Sequence, residues 1–282
     1  MVASNGRKHV KNELINAILY TAVLVALIWS LLPIVWMALS SLKTEAGMFS
    51  MPPKFIFTPT LETYQYMFSE RGNFLHFLVN STIATVLTTL ISLSLGALGG
   101  YALARGSFKR KEDISFWIIS TRMAPIPAVI LPVYMIFAKL GLIGTMTGLV
   151  YAYITFNLPF ALWMMMVFFK EVPIAIEEAA MIDGYSKFET FLKISLPAAT
   201  PGLVATAVLC MMFSWNDFIF ASILTGSSTQ TIPIAVSLLI TQQGIAWGQA
   251  MATGTVIITP MLIGGIAVRK YLVRGLSMGA VK

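Results

Sequence analysis

The chain has 282 residues, of which 57% are hydrophobic and only 11% charged, with a net charge of +7 and a mean hydropathy of +0.80. A soluble domain carries about 25% charged residues, so this composition excludes an ordinary soluble globular fold and places the chain in the membrane class. The one cysteine, Cys210, excludes an internal disulfide, and no Cys/His zinc pattern occurs.

A spanning helix needs about 20 mostly apolar residues, and six runs in chain order qualify as spans. The first, residues 14–39, follows the basic head Arg7-Lys8-His9-Val10-Lys11. A cleaved signal peptide has a shorter apolar core, about 7–15 residues, and a small-residue cleavage site. This run is longer and ends in SSLKTEAGMF, so it reads as a retained span. The second run covers 74–104, the third 114–138, the fourth 146–169, the fifth 203–224 and the sixth 250–268. The expected fold is all-α: residues 1–13 as an N-terminal segment, then a single transmembrane domain over 14–282.

The basic residues set the orientation. With the N-terminus cytoplasmic, fourteen of the 19 Lys and Arg fall in cytoplasmic segments, four fall outside, and Arg122 lies within a span. Basic residues favour cytoplasmic loops. Both termini, the 170–202 loop and the 269–282 tail are therefore expected on the cytoplasmic side. The positive charge reflects topology and membrane lipid, and it does not point to nucleic acid.

Three loops stand out. Residues 43–73 are proline-rich and predict a small ordered cap outside. Residues 225–249 carry no charge, and their IPIAVSLLI piece is too short to span, so it reads as re-entrant or surface-lying. The third, KEVPIAIEEAAMIDGYSKFETFLKISLPAATPG over 170–202, is the most polar part of the chain. Pro173 suits a first helical position. A short helix over 174–183 follows, with Glu177 and Glu178 in its early turns, where the helix dipole favours carboxylates. Gly184 can take the left-handed conformation that ends a helix. Ser186 to Glu189 form a capping box, and a second helix runs on until Pro197 stops it. Small Ala179 and Ala180, read as lying on one side, let another surface approach closely. The alternative for this stretch is an amphipathic helix on lipid.

Glu178-Ala179-Ala180, three residues, Gly184, nine residues, Ile194, one residue, Leu196-Pro197 resembles the EAA loop of bacterial ABC importer permeases. It lies between the fourth and fifth runs, where that family carries it. SWNDFIFA (214–221), TRMAPIPAVILPVY (121–134) and RGLSMGAVK (274–282) are similar to the maltose-type carbohydrate-uptake group, in particular its shorter permease subunit. The resemblance implies a type I importer fold in a bacterial inner membrane. It also implies a second homologous permease, two copies of a cytoplasmic ATPase and an external sugar-binding protein. Glu178, Ala179, Ala180 and Gly184 would couple this chain to the ATPase. The tail SMGAVK would approach the same interface.

No phosphate-binding loop occurs, since no glycine is followed by lysine. ATP and Mg would belong to the partner ATPase, with no cofactor, metal site or catalytic residue on this chain. Ionisable groups inside spans are candidates for function. Trp215, Asn216 and Asp217 could face a sugar in the pathway, or Asp217 could pair with a neighbouring span. Arg122 precedes Pro125 and Pro127, which break the third span. It could satisfy the freed carbonyls, pair with Asp217 or a partner chain, or contact an anionic substrate. Gly96, Gly99 and Gly100 read as a close-packing face. The rival readings are a self-contained carrier or channel, and a membrane scaffold.

Overall fold

The structure is a computed structural model that describes residues 2–241 and 244–278. Helix α1 (Val2–Ser41) is followed by the short α2 (Glu45–Met48) and α3 (Glu62–Phe68). Next come α4 (Phe74–Arg105), α5 (Lys111–Ser120), a 3-10 turn (Thr121–Met123), α6 (Ile126–Lys139) and α7 (Met146–Glu171). The polar loop holds α8 (Ile174–Ile182), α9 (Lys187–Thr190), a π turn (Phe191–Ser195) and α10 (Leu196–Ala198). The chain ends with α11 (Thr200–Trp215), α12 (Ile219–Leu224), α13 (Ile232–Leu238), the antiparallel pair β1 (Ile240–Thr241) and β2 (Gly244–Ile245), and α14 (Trp247–Met278).

Among the described residues, four helical stretches are long and apolar enough to cross a membrane: Glu13–Ser41, Phe74–Arg105, Met146–Glu171 and Trp247–Ile266. Two bent pairs bring the number to as many as six: Lys111–Met123 with Ile126–Lys139, at 91°, and Lys187–Ala198 with Thr200–Trp215, at 76°. The break in the third run falls at Ala124-Pro125, where the proline pair was expected to produce it. The fifth run departs from expectation. It is interrupted at residues 216–218, between α11 and α12. The sixth continues as helix to Met278, into the residues read as a tail.

The chain forms two compact units, residues 1–71 with 239–257, and 72–238 with 258–282. In the first unit, Lys43 is buried. Its Nζ donates to the Lys54 carbonyl at 2.8 Å and lies 4.6 Å from the Trp36 ring and 4.8 Å from the Phe57 ring. One cation thus gathers the proline-rich segment against the end of α1.

In the second unit, α4 packs along α7. Lipid tails are as apolar as leucine, so close packing rather than a hydrophobic gradient must hold two spans together. Gly96, Gly99 and Gly100 make that approach possible. A Cβ at Gly96 would sit 2.7 Å from the Ala161 Cβ, and one at Gly100 would sit 2.7 Å from the Met166 nitrogen. Apolar clusters lie at both ends of this pair. One joins Ala84, Leu149, Tyr153, Phe220 and Leu224; the other joins Ala97, Met165, Phe169, Val172 and Phe191.

The uncharged segment packs on α4. Asn80 Nδ2 donates to the carbonyls of Ser228 and Gln230, and the Ser81 hydroxyl accepts from the Ile232 nitrogen. These bonds seat α13 beside α4 and satisfy backbone groups that lipid could not.

Candidate functional site

The polar loop folds as helix, glycine turn, helix. Its first helix ends in a Schellman motif. Gly184 has φ +94, its nitrogen donates to the Met181 carbonyl, and the Tyr185 nitrogen donates to the Ala180 carbonyl. The next helix opens with the expected capping box. Ser186 Oγ accepts from the Glu189 nitrogen, and Glu189 Oε2 accepts from the Ser186 nitrogen at 3.1 Å. The Ser186 backbone and hydroxyl, and then Lys193, bring the Glu189 carboxyl down to about 2.

Three expectations for this loop are corrected. Pro173 is the N-cap of α8, not its first helical residue. Pro197 does not stop the second helix. It lacks an N–H, and its ring crowds the carbonyl four residues back. The turn before it widens into a π turn, with the Leu196 nitrogen donating to the Phe191 carbonyl. The chain then bends at Ala199. Finally, Ala179 and Ala180 do not share one face. Ala180 is buried and Ala179 exposed, as a rotation of about 100° per residue requires.

Glu178 is exposed, and Ile174 and Ile182 are exposed too, the latter at 86%. The inward face of α8 holds Ala180 and Glu177. Glu177, only 3% exposed, takes a forked pair of bonds from Arg105. Nε reaches Oε2 and Nη2 reaches Oε1, both at 2.9 Å, and the Tyr101 hydroxyl donates to Oε2 at 3.2 Å. Nothing in the local pattern marks this cluster: Arg105 falls among the basic residues that set topology, and Glu177 in an early turn where the helix dipole favours a carboxylate. A cleft of about 730 Å3 opens beside it, lined by Arg105, Lys111, Glu178, Met181 and Lys187.

The second candidate region lies at the two span breaks. Asp217 does not pair with Arg122. Its Oδ1 accepts from the Phe220 and Ala221 nitrogens at 3.0 and 3.2 Å, so it caps the first turn of α12. Arg122 lies between two aromatic rings, 4.6 Å from the Phe160 centroid and 4.0 Å from that of Phe213. Asn216 donates to the Met212 carbonyl at 2.8 Å. Trp215 is buried and lines an apolar cavity of about 310 Å3 with Thr85, Met211, Met212 and Met261. Asn157 is a further polar residue that the apolar pattern of the fourth run concealed. It is buried and donates to Ser214 Oγ at 3.0 Å, linking α7 to α11.

The cap gives a first testable expectation. Asp217→Ala leaves two backbone donors without their acceptor in a half-buried site. Each such loss costs about 1–3 kcal/mol. Asp217→Asn keeps one acceptor oxygen and is expected to cost less. Thermal unfolding in detergent should order the three proteins wild type, Asn, Ala. Equal midpoints for Asn and Ala would show that the cap contributes nothing.

Broken apolar helices, polar groups at the breaks and a polar helical hairpin between two spans define a multi-pass membrane protein. Residues 95–278 match the family described as "Binding-protein-dependent transport system inner membrane component", and the chain belongs to that family. It is 36% identical over 252 residues to the probable ABC transporter permease protein y4oR of Sinorhizobium fredii, covering 89% of this chain and 90% of that protein. It is 33% identical to the trehalose/maltose transport system permease protein MalG of Thermococcus litoralis, covering 93% and 94%. Among solved structures, it resembles a bacterial ABC transporter involved in the import of the acidic polysaccharide alginate. The TM-score is 0.70 at 21% identity, with 90% and 95% of the two chains covered. The fold is that of an ABC importer permease.

Proposed function

We propose that this chain is one of two homologous permease subunits of an ATP-driven importer of a sugar or sugar oligomer. Both termini face the cytoplasm, as does the loop over 170–202. There α8 is the coupling helix that docks on one of two ATPase subunits. Glu178, Ala179, Ala180 and Gly184 form its contact and hinge. The ATPase holds ATP and Mg, and this chain performs no catalysis. An external sugar-binding protein delivers the ligand to the outer side, where residues 225–249 face it. Trp215, Asn216, Asp217 and Arg122 lie along the path.

The observation that carries this reading is α8 itself, with bulky Ile174 and Ile182 exposed and an end set by the Gly184 turn. Exposed apolar side chains on a short polar-loop helix suit insertion into a protein groove. The sugar class rests on the trehalose/maltose relative. A self-contained carrier fits less well, since Asp217 caps α12 and Arg122 lies between two rings, so the two charges do not pair with one another.

The test is composition and activity together. The tagged chain, extracted gently from native membranes, should come with a second permease and an ATPase. Its ATP hydrolysis should rise when the external binding protein carries sugar. Deleting residues 178–184 should release the ATPase and leave the second permease. A wild-type chain recovered alone, or only with copies of itself, would sink the importer reading.

A further inference from the structure

Helix α8 has nine residues. Isolated helices shorter than about 12–15 residues are marginal in water, so contacts from elsewhere must hold this one. Only Glu177 and Ala180 of α8 are buried. Ala180 offers a methyl group; Glu177 offers a charge. Besides its chain ends, the polar side-chain attachment of α8 to the spans is therefore the Glu177 carboxylate.

That carboxylate binds two residues of α4, which in turn reach α7 and the π turn. Arg105, the last residue of α4, holds both of its oxygens. The same guanidinium donates from Nη2 to the carbonyl of Val172, the C-cap of α7, at 2.6 Å. Tyr101, one turn back on α4, adds its hydroxyl. The Tyr101 ring packs 5.3 Å from Phe169 of α7 and 4.9 Å from Phe191 of the π turn. The geometry joins the ends of α4 and α7 to both helices of the loop. A forked arginine–carboxylate pair fixes orientation as well as distance, and a buried pair is strongly disfavoured once one partner is removed. In the exposed pair Lys193–Glu189, by contrast, both side chains reach solvent.

We propose that Arg105, Glu177 and Tyr101 are positioning residues for energy coupling: they fasten α8 to the α4–α7 pair so that all three helices move as one body. This deepens the reading of α8 as the ATPase-facing helix and rests on it. Docking then need not deform α8, because a push on its exposed face arrives undiminished at α4 and α7. The glycine face of α4 against α7 carries it further. The exposed Glu178 contacts the partner, while the buried Glu177 holds the helix in place.

The experiment uses the assembled complex in lipid nanodiscs. Spin labels are placed at Asp183→Cys, the C-cap of α8, and Leu87→Cys on α4, both exposed positions. The native Cys210 is buried. The α4–α8 distance distribution is measured without nucleotide and after trapping with ATP and vanadate. In wild type it should be narrow and the same in both states. Glu177→Gln and Arg105→Lys should each broaden it at least twofold and let it shift on trapping. Lysine is informative because it keeps the charge and loses the fork. The exchanged pair Arg105→Glu with Glu177→Arg should restore at least half of the narrowing. Sugar-stimulated ATP hydrolysis should fall at least fivefold in the single variants while basal hydrolysis persists. That split is one a mere loss of folded protein would not produce.

Glu177→Gln with wild-type width overturns the anchor. Broadening with full sugar stimulation overturns its role in coupling. A wild-type assembly without ATP hydrolysis overturns the reading of α8 as ATPase-facing, and the nucleotide-free widths then still decide whether the three residues fasten the helix.

Discussion

Gly100→Leu is expected to abolish accumulation of folded protein. A Cβ at Gly100 would lie 2.7 Å from the Met166 nitrogen, 2.8 Å from the Met165 Cβ and 2.9 Å from the Leu162 carbonyl oxygen. Two of these are backbone atoms of α7, which cannot rotate away. Relief requires that the helices separate, and separation also loosens the contacts at Gly96. Overpacking typically costs about 1–3 kcal/mol and occasionally more. Against a total stability of about 5–15 kcal/mol, opening the main interface of the second unit falls at the severe end. Two controls bracket it. Gly99 would meet the flexible Leu162 Cδ1 at 2.8 Å, so alanine there should be mild. A Cβ at Gly264 meets nothing within 4 Å, so alanine there should be neutral or slightly stabilising. Membrane yield, elution profile and thermal midpoint report the order. A monodisperse Gly100→Leu protein with the wild-type midpoint would show that the helices do not pack as described.

The sequence revealed what local pattern encodes. Apolar runs located the helices, the Pro125 break in the third span was legible, and spacing alone placed the Gly184 turn and the Ser186 capping box. Each depends on residues within one or two turns of each other. What escaped depends on distance along the chain. Arg105 and Glu177 are 72 positions apart, and no periodicity links them; only the packing of α4 on α7 brings them together. Asn157 escaped because a lone amide in an apolar run resembles a tolerated substitution until Ser214 appears beside it. Pro197 misled in another way. Proline was expected to end a helix, yet one extra residue in the preceding turn absorbs it, and the bend falls later. Residues 216–218 show the converse. Asp217 reads from the sequence as facing a pathway or pairing with a neighbouring span, and neither pattern shows that its oxygen restarts a helix. A polar residue in a span serves the backbone before it serves a ligand, because lipid leaves broken helix ends no other partner.

Gly184→Pro is expected to leave the protein inserted and folded while abolishing ATP-driven uptake. The residue has φ +94, and proline is locked near −65°. The substitution also removes the N–H that donates to the Met181 carbonyl. The Schellman motif cannot form, so the angle at which α8 leaves the loop is lost. A Cβ at this position meets nothing within 4 Å, so no packing is disturbed and the spans are unaffected. The fault is confined to the backbone. Substitution by residue type separates this from crowding. Asparagine tolerates the left-handed region better than other side chains and should keep most activity. Valine, stiff and β-branched, carries a left-handed penalty of about 1–2 kcal/mol or more and should lose most of it. Alanine should fall between them. Sterically, alanine is the smallest of the three, so a crowded site would rank it best; a backbone-limited site ranks asparagine best. Uptake should drop at least tenfold for proline, with ATPase retention falling in parallel and membrane yield unchanged. Full uptake by the proline variant would mean that the turn does not set the coupling angle. Loss of membrane yield would mean that Gly184 serves folding instead.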